Sequence, residues 1–233
     1  MKGNTTPALA DGSTLKVLAL ACMAADHAAC MFLAPDSHAY LFLRTLGRIS
    51  FPVFAFLLVE GFIHTSSRRR YGTDLLVFAL ISELPWHLVF GDGSHNVLFT
   101  LLAGFLGLCC LECLYCETRE CGSFSKALLG IPFSFTSLLL LPLACAAAST
   151  DYSWQGYMLV ICFYVFRGHL LLQTVIGFLL MSGEILMGEV LAFSVLTLYN
   201  GERGFIHGKA AKYACYAFYP GHLFILWVLH QMV

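Results

Sequence analysis

Apolar blocks of membrane-crossing length, set end to end and parted by short polar turns, constrain this chain more than any other feature. A helix needs about 20 mostly apolar residues to cross the hydrocarbon core. Candidate spans run over 15–34, 40–64, 73–90, 96–116, 124–147, 153–166, 168–182, 185–199 and 211–230. The composition agrees. Hydrophobic residues make up 59% of the chain and charged residues only 12%, with a mean hydropathy of +0.78, which is too little charge to cover a soluble surface. No stretch is long and polar enough for a separate soluble domain. Residues 1–233 are therefore read as one all-α domain, a polytopic membrane helical bundle. The first block has no clear cleavage site and is read as a span rather than a cleaved leader. The net charge of −1 says nothing about partners. The lipid bilayer is the expected surrounding, and no nucleic-acid partner is expected.

The basic residues orient the bundle. With nine spans and a cytoplasmic N-terminus, every Lys and Arg except Arg44 and Arg48 falls at a cytoplasmic end or loop. The outer loops then carry no Lys or Arg, and Asp36, His38, Asp92, His95 and Asp151 lie in them. This is the positive-inside pattern. Merging 168–199 into one span would move Arg203, Lys209 and Lys212 outside. Two spans, or a re-entrant hairpin with the same sidedness, keep the pattern.

Ionisable groups inside the spans are costly and face a bundle interior or a wet cavity. Asp26 and His27 interrupt the first span. Arg44 and Arg48, four apart, share a face of the second, and Pro52 after them is positioned to kink it. Glu60 and His64 pair at that span's inner end, and Glu83 and His87 pair in the third. Asp26, His27, Arg44, Arg48, Glu83 and His87 fall at similar depth in the outer half, as the lining of one site would. The plainer reading is structural: Asp26 neutralises Arg44 or Arg48 and pins two helices. His64 and Glu60 are close enough to the interface to reach water. His207, His222 and His230 are unremarkable alone, since a lone imidazole in the last span commonly makes a helix–helix hydrogen bond.

Cys110, Cys113, Cys116 and Cys121 form a C-x2-C-x2-C-x4-C run that approaches an iron–sulfur spacing. The last gap is one residue too long and no proline follows. Cys110 and Cys113 continue a helical apolar run, so packing is favoured over a cluster, and no metal is expected.

Six segments resemble the TraX family: LKVLALACMAADHAACMF (15–32), LRTLGRISFPVFAFLLVEGFIHT (43–65), LLVFALISELPWHLVF (75–90), NVLFTLL (96–102), LYNGERG (198–204) and KYACYAFYPGHL (212–223). The family's namesake acts in plasmid conjugation and acetylates the N-terminus of the F-type pilin subunit. The family is similar to a wider group of multi-pass acyltransferases that use a cytoplasmic donor on a substrate at the far side. The resemblance implies an acetyltransferase in the bacterial inner membrane. Its donor would be acetyl-coenzyme A, and its acceptor a pilin-like N-terminal amine or another amine or hydroxyl. His27, in the family's DH motif, is the expected general base, because imidazole titrates near neutral pH. Asp26 orients it or holds an arginine. The other of Arg44 and Arg48 stabilises the oxyanion, and Glu83 binds the incoming ammonium group. Expected donor contacts are Arg203 and Asn200 of YNGERG with Lys209, Lys212, Arg167, Arg68, Glu60 and His64, a largely basic set suited to phosphates. Gly204 is expected to let backbone approach the ligand. Two other readings compete: a small proton-coupled transporter using the same buried groups, and a non-catalytic pilus or secretion assembly factor.

Overall fold

The computed structural model describes residues 9–91, 93–119, 124–181 and 185–232. Among them the regular structure is helical: α1 (Gly12–Phe32), α2 (His38–Gly47), α3 (Ser50–His64), α4 (Arg68–Val89), α5 (Val97–Arg119), α6 (Phe124–Ala147), α7 (Ser153–Val165), α8 (Leu170–Met181), α9 (Leu186–Leu196) and α10 (Gly208–His230). The starts of the early helices are capped by the side chains the sequence places there. Asp11 accepts the Thr14 N–H, Ser37 the Tyr40 N–H and Ser67 the Arg70 N–H, each satisfying an orphan donor of the first turn.

Helix lengths refine the expected span count. Gly12–Phe32, His38–His64, Arg68–Val89 and Val97–Tyr115 are long and apolar enough to cross a membrane. At 1.5 Å per residue the shortest of them spans about 28 Å, close to the hydrocarbon thickness. α10 matches them in length but carries Lys209, Lys212, His222 and His230, which lower its hydropathy. α7, α8 and α9 have 13, 12 and 11 residues, so each rises only about 17–20 Å. Nine full spans are therefore more than the helix lengths carry, and the 168–199 block is a pair of short helices.

Proline acts differently from the expectation for the second span. The helix breaks at Arg48–Ile49, ahead of Pro52. Pro52 lies in the first turn of α3, where a missing N–H costs nothing.

Connections alternate between two ends of the bundle. At one end Ala10 bridges to Tyr199, and the Gly12 N–H donates to the Glu202 carbonyl at 2.8 Å. At the other, His95 bridges to Thr150. α7 runs through the centre, with Leu159 and Val160 fully buried and Phe163 nearly so. Helices in lipid gain little from the hydrophobic effect and associate by close packing of small residues. Gly104 and Gly107 of α5 show this: a Cβ there would stand 2.9 Å from Val160 and 2.7 Å from the Tyr157 hydroxyl of α7. α5 continues unbroken through Cys110, Cys113 and Cys116, with Cys110 part-buried and Cys113 exposed. Cys121 lies outside the described residues.

Candidate active site

Asp26 and His27 sit in the last two turns of α1. Adjacent helical positions point about 100° apart, so the two side chains leave α1 in different directions. Asp26 meets α2: Arg44 Nη1 donates to its Oδ2 at 2.7 Å and to Cys30 Sγ at 3.3 Å. Asp26 Oδ1 is buried without a hydrogen-bond partner. It lies against Gly47, where a Cβ would stand only 2.1 Å away. The carboxylate thus docks in a notch that a glycine leaves open.

Arg48 acts electrostatically on Asp26 and on Asp151. Asp151 sits on a strained connection, in which Ser149, Tyr152 and Ser153 all have positive φ. Such residues cost about 1–3 kcal/mol each and persist only where packing enforces them. Here Tyr152 stacks on Phe51 with ring centroids 3.9 Å apart. Burial pushes the Asp151 carboxyl up to about 6, against the pull of Arg48.

His27 turns toward α10. Its Nδ1 lies 2.8 Å from His222 Nε2, and His222 Nδ1 lies 2.8 Å from the Phe218 carbonyl. These contacts fix the protons. A carbonyl only accepts, so His222 Nδ1 carries the hydrogen and its Nε2 accepts; His27 Nδ1 therefore donates. His27 Nε2 is left with a lone pair, the state a base requires. Trp86, Phe90 and Tyr219 enclose the ring edge-on at 6.2, 5.4 and 6.4 Å.

Two cavities approach this ring from opposite ends of the bundle. The larger, about 580 Å³, opens among His64, Gly201, Arg203 and Lys212 and runs to Met23, one turn before His27, and to Tyr219. Its volume is that of a cofactor or small-ligand site. Along α1 from Gly12 to Met23 it follows about 16 Å of helix. The smaller, about 250 Å³, lies on the other side of His27 and is lined by Cys30, Met31, Phe90 and His230 among others.

Lys16, Arg203 and Lys212 bring positive charge to the larger cavity. Lys212 is neutralised by Asp74 at 2.6 Å. Among the described residues no carboxylate lies within 4 Å of the charged atoms of Lys16 or Arg203. Glu60 and His64 also line the cavity. Arg167 reaches it only through a forked pair with Glu60, at 2.9 and 3.3 Å.

The other expected donor residues stand elsewhere. Arg68 pairs with Glu112 at 3.3 Å and lies over the Phe62 ring. Lys209 is exposed at the start of α10, outside the cavity lining. Asn200 builds a turn, its Oδ1 accepting the Glu202 N–H at 2.8 Å. The close approach at Gly204, φ 82°, is to Asp11, whose carboxylate a Cβ would meet at 2.3 Å. YNGERG thereby clamps the start of α1: Ser13 Oγ donates to the Arg203 carbonyl at 2.9 Å and accepts the Ile206 N–H at 2.7 Å.

Glu83 is not the free carboxylate expected for an ammonium group. His95 Nδ1 is hydrogen-bonded to its Oε1, His87 Nε2 stands 3.2 Å from the same oxygen, and Asn96 Nδ2 donates to Oε2 at 2.5 Å. Two residues of the site carry no signal of it in the sequence: Lys16 is one more cation at the end of a span, and His222 a lone imidazole in the last one. His222 does make a helix–helix hydrogen bond, and its partner is the candidate base.

The profile of TraX (TraX protein) matches residues 11–230. The chain belongs to the TraX family. It is also similar to "Probable fimbrial assembly protein FimC, serogroup H1" of Dichelobacter nodosus, at 29% identity over 241 aligned positions covering 91% of this chain and 92% of that protein. No solved structure matches the chain significantly. The TraX match takes in both members of the His27–His222 pair, Arg44, Arg48 and the YNGERG turn.

Proposed function

We propose that this TraX-family protein is an acetyltransferase of the bacterial cytoplasmic membrane. It moves an acetyl group from cytoplasmic acetyl-coenzyme A to an amine at the outer side. The observation that carries the reading is the place of His27, oriented by His222 between a deep cavity with basic groups at its mouth and a second cavity on the far side. The basic connections lie at the end where the larger cavity opens, so the positive-inside rule sets that mouth in the cytoplasm. Arg203 and Lys16 face the donor's phosphates, and the thioester arm lies along α1 toward Met23.

The acceptor amine attacks the thioester carbonyl and forms the new C–N bond. His27 Nε2 takes the amine proton, while Nδ1–H remains on His222. Collapse of the tetrahedral adduct breaks the C–S bond, and the departing thiolate takes the proton back from His27. Arg48 supplies positive potential for the oxyanion, because Arg44 is committed to Asp26. A pilin-like peptide is the acceptor suggested by the family, and the likeness to a probable fimbrial assembly protein is compatible with it.

The experiment is His27→Ala in purified, folded protein, with labelled acetyl-coenzyme A and a peptide carrying a free N-terminal amine. Loss of transfer with donor binding retained supports the assignment. Near-normal turnover in His27→Ala returns Asp26 and His27 to a structural contact and leaves a non-catalytic assembly role. Proton-coupled uptake without acyl transfer indicates a transporter.

A further inference from the structure

We propose that Glu83, His87 and His95 form a binding site for a divalent transition-metal ion, zinc by the nature of its donors. The proposal is independent of the acetyl-transfer reading and replaces the expectation of a metal-free chain. Glu83 and His87, four apart on α4, share one helix face. His95 arrives from the α4–α5 connection and is held by backbone: its N–H donates to the Ser149 carbonyl at 3.3 Å, and its carbonyl accepts the Asp151 N–H at 2.9 Å. One donor atom from each of Glu83, His87 and His95 falls within 4.8 Å of the others.

The spacing suits a small ion. Zinc bonds of about 2.0–2.1 Å in a tetrahedron set neighbouring donors about 3.3 Å apart. His87 Nε2 and Glu83 Oε1 already stand 3.2 Å apart. The His95 hydrogen bond to Oε1 is the contact the ion replaces, with the ring moving back to admit it. His87 and His95 side chains are 41% and 43% exposed, which leaves an entry path and an open fourth position.

An outer layer supports the carboxylate. Asn96, fully buried, donates to Glu83 Oε2 and, at 2.9 Å, to the Ala79 carbonyl, while its own Oδ1 accepts the Leu98 N–H at 3.1 Å. Asn96 thus fixes one carboxylate oxygen and leaves the other toward the two imidazoles, as second-shell groups do around metals. Two neutral imidazoles and one carboxylate favour zinc over magnesium or calcium, which prefer oxygen donors alone. The site adjoins the candidate base. Trp86, whose ring edges His27, donates its indole N–H to Ser94, the residue before His95, so a bound ion braces that wall of the His27 site.

The test is zinc titration of the chelator-stripped full chain in detergent against a chromophoric competitor, in a background where the cysteines are replaced by serine. Cobalt(II) is titrated in parallel to report tetrahedral ligation in its visible spectrum. His87→Ala and His95→Ala should each weaken zinc binding at least tenfold and abolish the tetrahedral cobalt band; Glu83→Gln should do the same. Both imidazoles are part-exposed, so the two alanine variants keep the test valid if Glu83→Gln does not fold. Undiminished zinc affinity in the folded His87→Ala/His95→Ala double variant, or no tetrahedral cobalt band in the parent, overturns the proposal and leaves a hydrogen-bonded carboxylate–imidazole cluster.

Discussion

Lys16 and Lys209 make a controlled comparison, since both are lysines of the bundle's basic end and only one faces the larger cavity. Lys16 is largely enclosed by α1 and its neighbours, and among the described residues no carboxylate pairs with it. A charge-assisted hydrogen bond from such a group to a phosphate is worth about 1.5–3 kcal/mol. Lys16→Gln, which keeps most of the side-chain length, should therefore weaken acetyl-coenzyme A binding roughly 10- to 100-fold. Lys209 is exposed on the first turn of α10. Solvent screening limits it to about 0.5 kcal/mol, or roughly twofold. Arg203 lies between them, lining the mouth but exposed, and Arg203→Ala should cost a few-fold and flatten the salt dependence. The assay is calorimetric titration of the detergent-solubilised variants with acetyl-coenzyme A at two salt concentrations. Equal losses in Lys16→Gln and Lys209→Ala would mean that the basic end attracts the donor only diffusely. Unchanged affinity in Lys16→Gln would remove the donor from the cavity.

His222→Phe should leave donor binding intact and lower turnover about 10- to 100-fold, because an unpaired buried His27 N–H costs about 1–3 kcal/mol and frees the wrong tautomer; single-turnover transfer kinetics check this. Gly47→Ala should destabilise the fold by about 1–3 kcal/mol, read in thermal unfolding, because the added methyl strikes the Asp26 carboxylate. Asp151 carries a pH signature. Burial raises its folded pKa from 3.8 to about 6, so the folded state binds this proton more tightly than the unfolded chain does. Its contribution is most favourable below pH 3.8 and is lost as pH rises through 6, by about 3 kcal/mol in all. Melting Asp151→Asn beside the parent from pH 4 to 7 should show the variant gaining relative stability across that interval; parallel pH profiles would refute the burial argument.

The long membrane helices could be read from the sequence because blocks such as 15–34, 40–64 and 96–116 hold about 20 or more mostly apolar residues, enough to cross the hydrocarbon core. The block 73–90 became Arg68–Val89, and 124–147 became α6 with the same bounds. The blocks 153–166, 168–182 and 185–199 were already shorter in the sequence than a straight crossing needs, and the helices they form are shorter still. In the site, Asp26 and Arg44 were legible because oppositely charged groups at membrane depth have few places to go but each other. His222 was not, since its partnership with His27 spans 195 positions and follows no helical period. Lys16 was obscured by its place at the start of a span, where lysine ordinarily reaches toward water. The partners of Glu83 were hidden because His95 and Asn96 meet it only through the fold of the α4–α5 connection.

Reconstitution across a sealed bilayer tests the central claim most directly. Proteoliposomes of one orientation would hold labelled acetyl-coenzyme A on the side of Arg203 and a peptide with a free N-terminal amine on the side of His230. The account predicts label on the peptide only when donor and acceptor occupy these opposite faces, and none with His27→Ala. Transfer that requires both on one face, or that proceeds undiminished in the folded His27→Ala protein, would contradict it.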